Sequence, residues 1–311
     1  MNILILTPDG VGSTILQRLL TMTLYLEKIK VVNTHELTNG LCLEKGILAK
    51  DFNLKYSQKL EEIIELIKES DESTQIISRL AKYHLDARQD KIQSQKKFFN
   101  FLNSFYGKKI MCIRNNIFEY ALSWSIRESS GISNVHDRKD KRSVMEVSEV
   151  DEDYFLEKCN EYVDYVYWIQ ENFPDVIQIS YEDMVTNVDS TIEKITGYKD
   201  TFNKNFGANL SLILEMEYNI FNSLITKNNK KLSYTRDEKK ALILYKKLSK
   251  ILIDKKMIIN HPIKNTTLED KKKQIKNFNQ CRDKFYFFAR NHNWIDQSIV
   301  NYDFWNKRNI C

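Results

Sequence analysis

Near the start of the chain, Pro8-Asp9-Gly10-Val11-Gly12-Ser13-Thr14 sets two closely spaced glycines beside two hydroxyl side chains. An apolar run, Asn2 to Thr7, precedes it, and Ile15, Leu16, Leu19, Leu20 and Thr23 follow at helical spacing, so the segment reads as strand, glycine turn, helix. Such a turn gathers backbone N–H groups and the positive end of a helix dipole around one point, which suits a phosphate-like anion. It is not a Walker A loop, because that motif places Lys directly after its last Gly and here Gly12 is followed by Ser13. The same residues also fit a plain tight turn in which Ser13 or Thr14 caps the helix.

A second candidate begins with the apolar run Lys109 to Ile113 and ends in Arg114, with Ser123 two and a half helical turns beyond. Only 11 of the 47 basic residues are Arg, so an Arg at a strand end carries weight. At the carboxyl end of a parallel strand an Arg reaches the usual ligand crevice. Its planar fork matches a phosphate in two-point contact, and a serine hydroxyl can add a neutral hydrogen bond. A surface Arg paired with Glu119 or Glu128 is the simpler alternative.

The elements needed to hold these residues follow from periodicity. Further short β-type runs lie at Lys30 to Thr34, Gln75 to Tyr83 and Val176 to Ser180. Helical patterns between the strands cover Gln58 to Lys68, Gln93 to Phe105, Phe118 to Arg127 and Tyr154 to Gln170. Alternation of this kind predicts an α/β fold with a central parallel sheet of about five strands covered by helices on both faces. After Gly197 the strand signals stop, and Leu210 to Ile225, Glu238 to Asp254 and Leu268 to Phe288 read as lysine-bearing helices. The expected organisation is a core over residues 1–205 and a C-terminal helical region over 206–311 packed on it.

With Ile177-Gln178-Ile179-Ser180-Tyr181-Glu182-Asp183-Met184 added, the order, spacing and context of these segments resemble the sulfotransferase family. Its members use 3′-phosphoadenosine 5′-phosphosulfate on a P-loop-like, three-layer αβα sheet fold. The resemblance spans about residues 1 to 200. Pro8 to Leu16 looks like the family's 5′-phosphosulfate loop in its Gly-Ser-Thr form, found in bacterial and carbohydrate sulfotransferases. Arg114 and Ser123 look like the 3′-phosphate pair, and Tyr181-Glu182-Asp183-Met184 is similar to the Tyr-Glu-Asp-Leu that closes the last core strand. Gly10, Val11, Gly12, Ser13, Thr14, Arg114, Ser123 and Tyr181 are the nucleotide-binding residues this implies. Ala81-Lys82-Tyr83-His84-Leu85, at an expected strand end, is similar to the family's Lys-Thr-His segment. There His84 would take the acceptor proton and Lys82 would stabilise charge, unless His84 is simply a surface residue of an edge strand. A His titrating near pH 7 can act as a base without a large pKa shift. His35 and Glu36 are rival bases, because some members use an acidic base after the second strand.

One departure matters. The family has Lys or Arg two residues before the loop Gly, where it neutralises the sulfate-bridging oxygen, and here that position is Gly10. Loss of such a preorganised charge costs about 3 kcal/mol, on the order of a hundredfold in rate. Lys82 or another lysine is the expected substitute. The family's C-terminal Arg-Lys-Gly motif is also missing, leaving Arg282, Lys284, Arg290 and Lys307 as candidates for its role.

Composition bounds the rest. In 311 residues, 47 Lys plus Arg face 42 Asp plus Glu for a net +5, too small an excess for a dedicated polyanion binder, so no nucleic-acid partner is expected. The lysine runs Lys227 to Lys231 and Lys271 to Lys273 read as solvated faces. Five cysteines without CxxC or Cys/His metal spacing fit a reducing cytoplasm, and no apolar run approaches the roughly 20 residues a bilayer needs.

The reading is therefore a soluble enzyme without a metal, moving a sulfuryl group to a hydroxyl or amine of a small molecule or glycan. The alternative is a non-catalytic binding or assembly module of the same descent, which Gly10 favours. A different P-loop phosphotransferase is disfavoured by the missing Walker Lys. Acceptor recognition is expected on the loops Asn39 to Tyr56 and Ser129 to Val150, neither of which carries a recognisable code.

Overall fold

A computed structural model describes residues 1–29, 31–38, 59–68, 75–88, 90–130, 149–207, 272 and 275–291. The helices expected over 210–225 and 238–254, the lysine run 227–231, Lys307 and nearly all of both acceptor loops lie outside the described residues.

The chain is an α/β protein. Strands β1 (Ile3–Leu6), β2 (Val31–Glu36), β3 (Gln75–Leu80), β4 (Lys108–Ile113) and β5 (Ile177–Ser180) stand in the sheet order β2-β3-β1-β4-β5. Parallel register is set along β2-β3-β1-β4, with Ile3 opposite both Ile77 and Lys108 and Leu6 opposite both Leu80 and Met111. The central strand β1 is four aliphatic residues, all at most 1% exposed, as a strand covered on both faces requires.

Helix α1 (Ser13–Leu26) follows β1 and buries Leu16, Leu19, Leu20 and Leu24. On it the hydroxyls of Thr21 and Thr23 donate to the carbonyls of Gln17 and Leu19, so two polar groups enter the core already satisfied. Helices α2 (Leu60–Lys68), α3 (Lys82–Asp86), α4 (Ile92–Phe105), α5 (Ile117–Ser130) and α6 (Glu152–Asn172) come next. Helices α7 (Tyr181–Thr186), α8 (Val188–Thr196), α9 (Thr201–Phe206) and α10 (Phe278–Asn291) complete the described elements. Among the described residues no helix is long and apolar enough to cross a membrane.

Two compact units interleave along the sequence. The first holds Met1–Cys112, Ile169–Ile179 and the described residues 183–207. The second holds Ile113–Trp168, Ser180–Glu182 and the described residues 275–291. Its core is aromatic: Phe118 meets Phe155, Phe278 and Phe285 edge to face, with centroids 5.4–5.5 Å away.

The strand expected to run to Tyr83 ends at Leu80, and Lys82 and His84 sit on the short helix α3 rather than at a strand end. The physical reason comes from the neighbouring strand. The Ala81 N–H leaves the sheet ladder and donates to the Glu36 carboxylate at 3.1 Å, and the backbone turns there.

Candidate functional site

In the first unit the glycine turn leaves the carboxyl end of the central strand. Gly10 and Gly12 have φ of 83° and 82°, a left-handed conformation that a Cβ disfavours, which is why glycine stands at both positions. The Gly12 carbonyl accepts the Leu16 N–H at 3.1 Å, so α1 begins on the turn itself. This places Ser13 and Thr14 at the helix N-terminus, where N–H groups lack intrahelical partners.

Behind these hydroxyls lies a buried ion pair that sequence reading did not find. The β2–β3 register slips by one residue between Asn33 and His35, so Glu36 stands opposite Arg79; without the slip His35 would oppose it. Glu36 is 0% and Arg79 7% exposed. Arg79 Nε donates to Glu36 Oε2 at 3.1 Å, and Nη1 donates to Thr14 Oγ1 at 2.6 Å and Ser13 Oγ at 3.3 Å. The other Glu36 oxygen accepts from Ala81 N–H and, at 3.4 Å, from the Thr38 hydroxyl. Burial pushes the Glu36 carboxyl up to about 7, outweighing the charge of Arg79 and the hydrogen bonds it receives.

Of the expected catalytic residues, Glu36 is thus held in the Arg79 network. His84, half-buried on α3, is within electrostatic reach of Asp9 and Arg79, and its ring lies tilted by 39° against that of Tyr83 with centroids 3.7 Å apart. Burial brings its imidazole down to about 4; Asp9 opposes this and Arg79 adds to it. The side chain is neutral at pH 7, with a lone pair to accept a proton but low basicity. Lys82 pairs with Asp86 one turn along the same helix.

In the second unit Arg114 is held through its backbone and buried at its side chain. The Tyr162 hydroxyl accepts from the Arg114 N–H and donates to the Arg114 carbonyl, both at 2.7 Å. Glu182 accepts from the N–H groups of Asn115 at 3.0 Å and Asn116 at 3.3 Å, and the Asn116 side chain caps α5 by accepting from Glu119 N–H at 2.8 Å. The guanidinium lies over the Tyr181 ring at 4.6 Å, and burial holds that phenol above its ordinary pKa although Arg114 acts against it. Arg114 is 7% exposed, and its Nε and Nη1 are buried with no hydrogen-bond partner among the described residues. Ser123, the expected neutral donor, gives its hydroxyl proton to the Glu119 carbonyl at 2.8 Å.

Arg282 and Lys284 of α10 pair with Asp283 and Glu152 respectively.

The residues missed by sequence reading were Arg79 and Tyr162. An Arg near the end of the strand Gln75–Leu80, beside Ile76, Ile77 and Leu80, was the available signal for the first; nothing local announced the second.

Neither a protein-family model, a curated protein nor a solved structure matches the chain.

Proposed function

We propose that the chain is a sulfotransferase, moving a sulfuryl group from 3′-phosphoadenosine 5′-phosphosulfate to a hydroxyl or amine of a small molecule or glycan. The observation that carries this reading is Arg114, with two buried guanidinium nitrogens that make no hydrogen bond among the described residues, on a backbone clamped by Tyr162. Leaving a buried donor unmade costs about 1–3 kcal/mol, and more when it is charged. An anion accepting from either nitrogen would reduce that cost. The resemblance assigns this same residue to the nucleotide's 3′-phosphate. The sheet order, with a glycine turn at the carboxyl end of its central strand, supports a P-loop-like αβα core.

The donor nucleotide would supply the activated sulfuryl group. The N–H groups of Gly12, Ser13 and Thr14 would hold its 5′ end, and the Arg114 fork its 3′-phosphate, with Tyr181 packed against that fork. His84, neutral at pH 7, would take the acceptor proton as the new S–O bond forms and the bond to the bridging oxygen breaks. The binding-module alternative is favoured by Gly10 and by the engagement of Lys82 with Asp86. It shares the nucleotide site and lacks the transfer.

Heat stabilisation tests the reading. Adenosine 3′,5′-bisphosphate at a hundredfold excess over its Kd should stabilise the chain by about 2.7 kcal/mol. ADP with Mg²⁺ should do far less. Stabilisation by ADP with Mg²⁺ alone would replace the reading by a phosphotransferase. Sulfuryl transfer from labelled donor into a mixed metabolite and glycan extract would then exclude the binding module.

A further inference from the structure

The missing charge at Gly10 raises the question of which cation serves the loop, and Lys82 is engaged with Asp86 on its own helix. Arg79 approaches the loop from β3, and the Nη1 hydrogen bonds to Thr14 and Ser13 come from a guanidinium with almost no exposure.

A serine or threonine hydroxyl has one hydrogen to give and two lone pairs to receive with. When Arg79 donates to both oxygens, it occupies a lone pair on each and sets the direction left for the hydroxyl hydrogen. It also polarises each O–H, because hydrogen bonds in a chain strengthen one another in a low-dielectric interior. The two hydroxyls become oriented donors at a helix N-terminus. Glu36 fixes the guanidinium from the other side through Nε, and is itself fixed by Ala81 N–H and Thr38.

We propose that Arg79 is the positioning residue of the glycine loop: it orients the hydroxyls of Ser13 and Thr14 toward the 5′-phosphate or phosphosulfate of the nucleotide. Glu36 acts through it as the anchor of its fork. The inference rests on the nucleotide-binding reading of the loop and adds to it the residue that sets the loop's donors.

The test compares adenosine 3′,5′-bisphosphate with adenosine 3′-monophosphate, which lacks only the 5′-phosphate, binding each to the full chain by calorimetry. The ratio of the two affinities isolates what the loop contributes. Arg79→Gln alone would strand a buried carboxylate, so the pair is removed together in Glu36→Gln/Arg79→Gln, and Arg79→Lys keeps the charge while losing the fork. In wild type the ratio should strongly favour the bisphosphate. It should fall by about tenfold to a hundredfold in the double variant, the range expected for hydrogen bonds to a charged group, with Arg79→Lys between the two. A folded double variant that keeps the wild-type ratio overturns the inference and leaves the nucleotide reading standing. A wild-type ratio near one overturns the reading of the loop itself, and the role of Arg79 with it.

Discussion

Arg114 is more expensive to bury than to expose, because two of its nitrogens make no hydrogen bond among the described residues. Its replacement should therefore separate stability from binding. Arg114→Met should raise the ligand-free melting temperature, with a gain of about 1–3 kcal/mol, while abolishing the stabilisation given by adenosine 3′,5′-bisphosphate. A structural arginine would behave in the opposite way: the variant would melt earlier and still bind.

The rival bases differ in pH behaviour. A base works only when deprotonated, so kcat/KM should fall as pH drops through about 4 if His84 takes the acceptor proton, and already through about 7 if Glu36 does. A pH profile with donor saturating reads the difference directly. Glu36 also leaves a mark on stability. Its folded pKa is raised from 4.5 to about 7, so its contribution is fully present below pH 4.5 and is lost as pH rises through 7. Glu36→Gln should remove that loss. Plotted against pH, the melting temperature of wild type relative to Glu36→Gln should decline between about 4.5 and 7, and a flat difference would refute the assignment.

At the scale of elements, the local signals in the sequence were good guides to strands. Runs such as Ile3–Leu6 and residues 110–113 stand out because a strand buried on both faces must be apolar where it is covered. The turn at Gly10 and Gly12 was equally legible, since left-handed backbone selects glycine. Gly12→Ala should cost about 1–2 kcal/mol and weaken binding of the 5′-phosphate, as a comparison of bisphosphate with 3′-monophosphate would show. The end of β3 was misread because Tyr83 is a good strand former, whereas the turn at Ala81 is imposed by a carboxylate 45 residues earlier in the chain. The Arg79–Glu36 pair was hidden for a related reason: it depends on a one-residue slip in strand register, which no window of neighbouring residues encodes. In the second unit, helices α5, α6 and α10 meet at Phe118, Phe155 and Phe285. Phe118→Ala should cost about 3–5 kcal/mol in denaturant unfolding.

For the whole molecule, a net charge of +5 spread over 311 residues gives little long-range pull on a nucleotide, so recognition must come from placed groups. The described residues hold two such sets: the glycine turn with Arg79 in the first unit, and Arg114 with Tyr181 in the second. The proposed sulfotransferase reading assigns Arg114 to the nucleotide's 3′-phosphate. A crystal structure of the chain with adenosine 3′,5′-bisphosphate tests that assignment most directly. The account predicts a 3′-phosphate oxygen at about 2.7–2.9 Å from Arg114 Nε or Nη1, the distance of a charge-assisted hydrogen bond. A bound nucleotide that leaves those two nitrogens untouched, or an Arg114 whose fork is filled by a carboxylate or carbonyl of the chain itself, would contradict it.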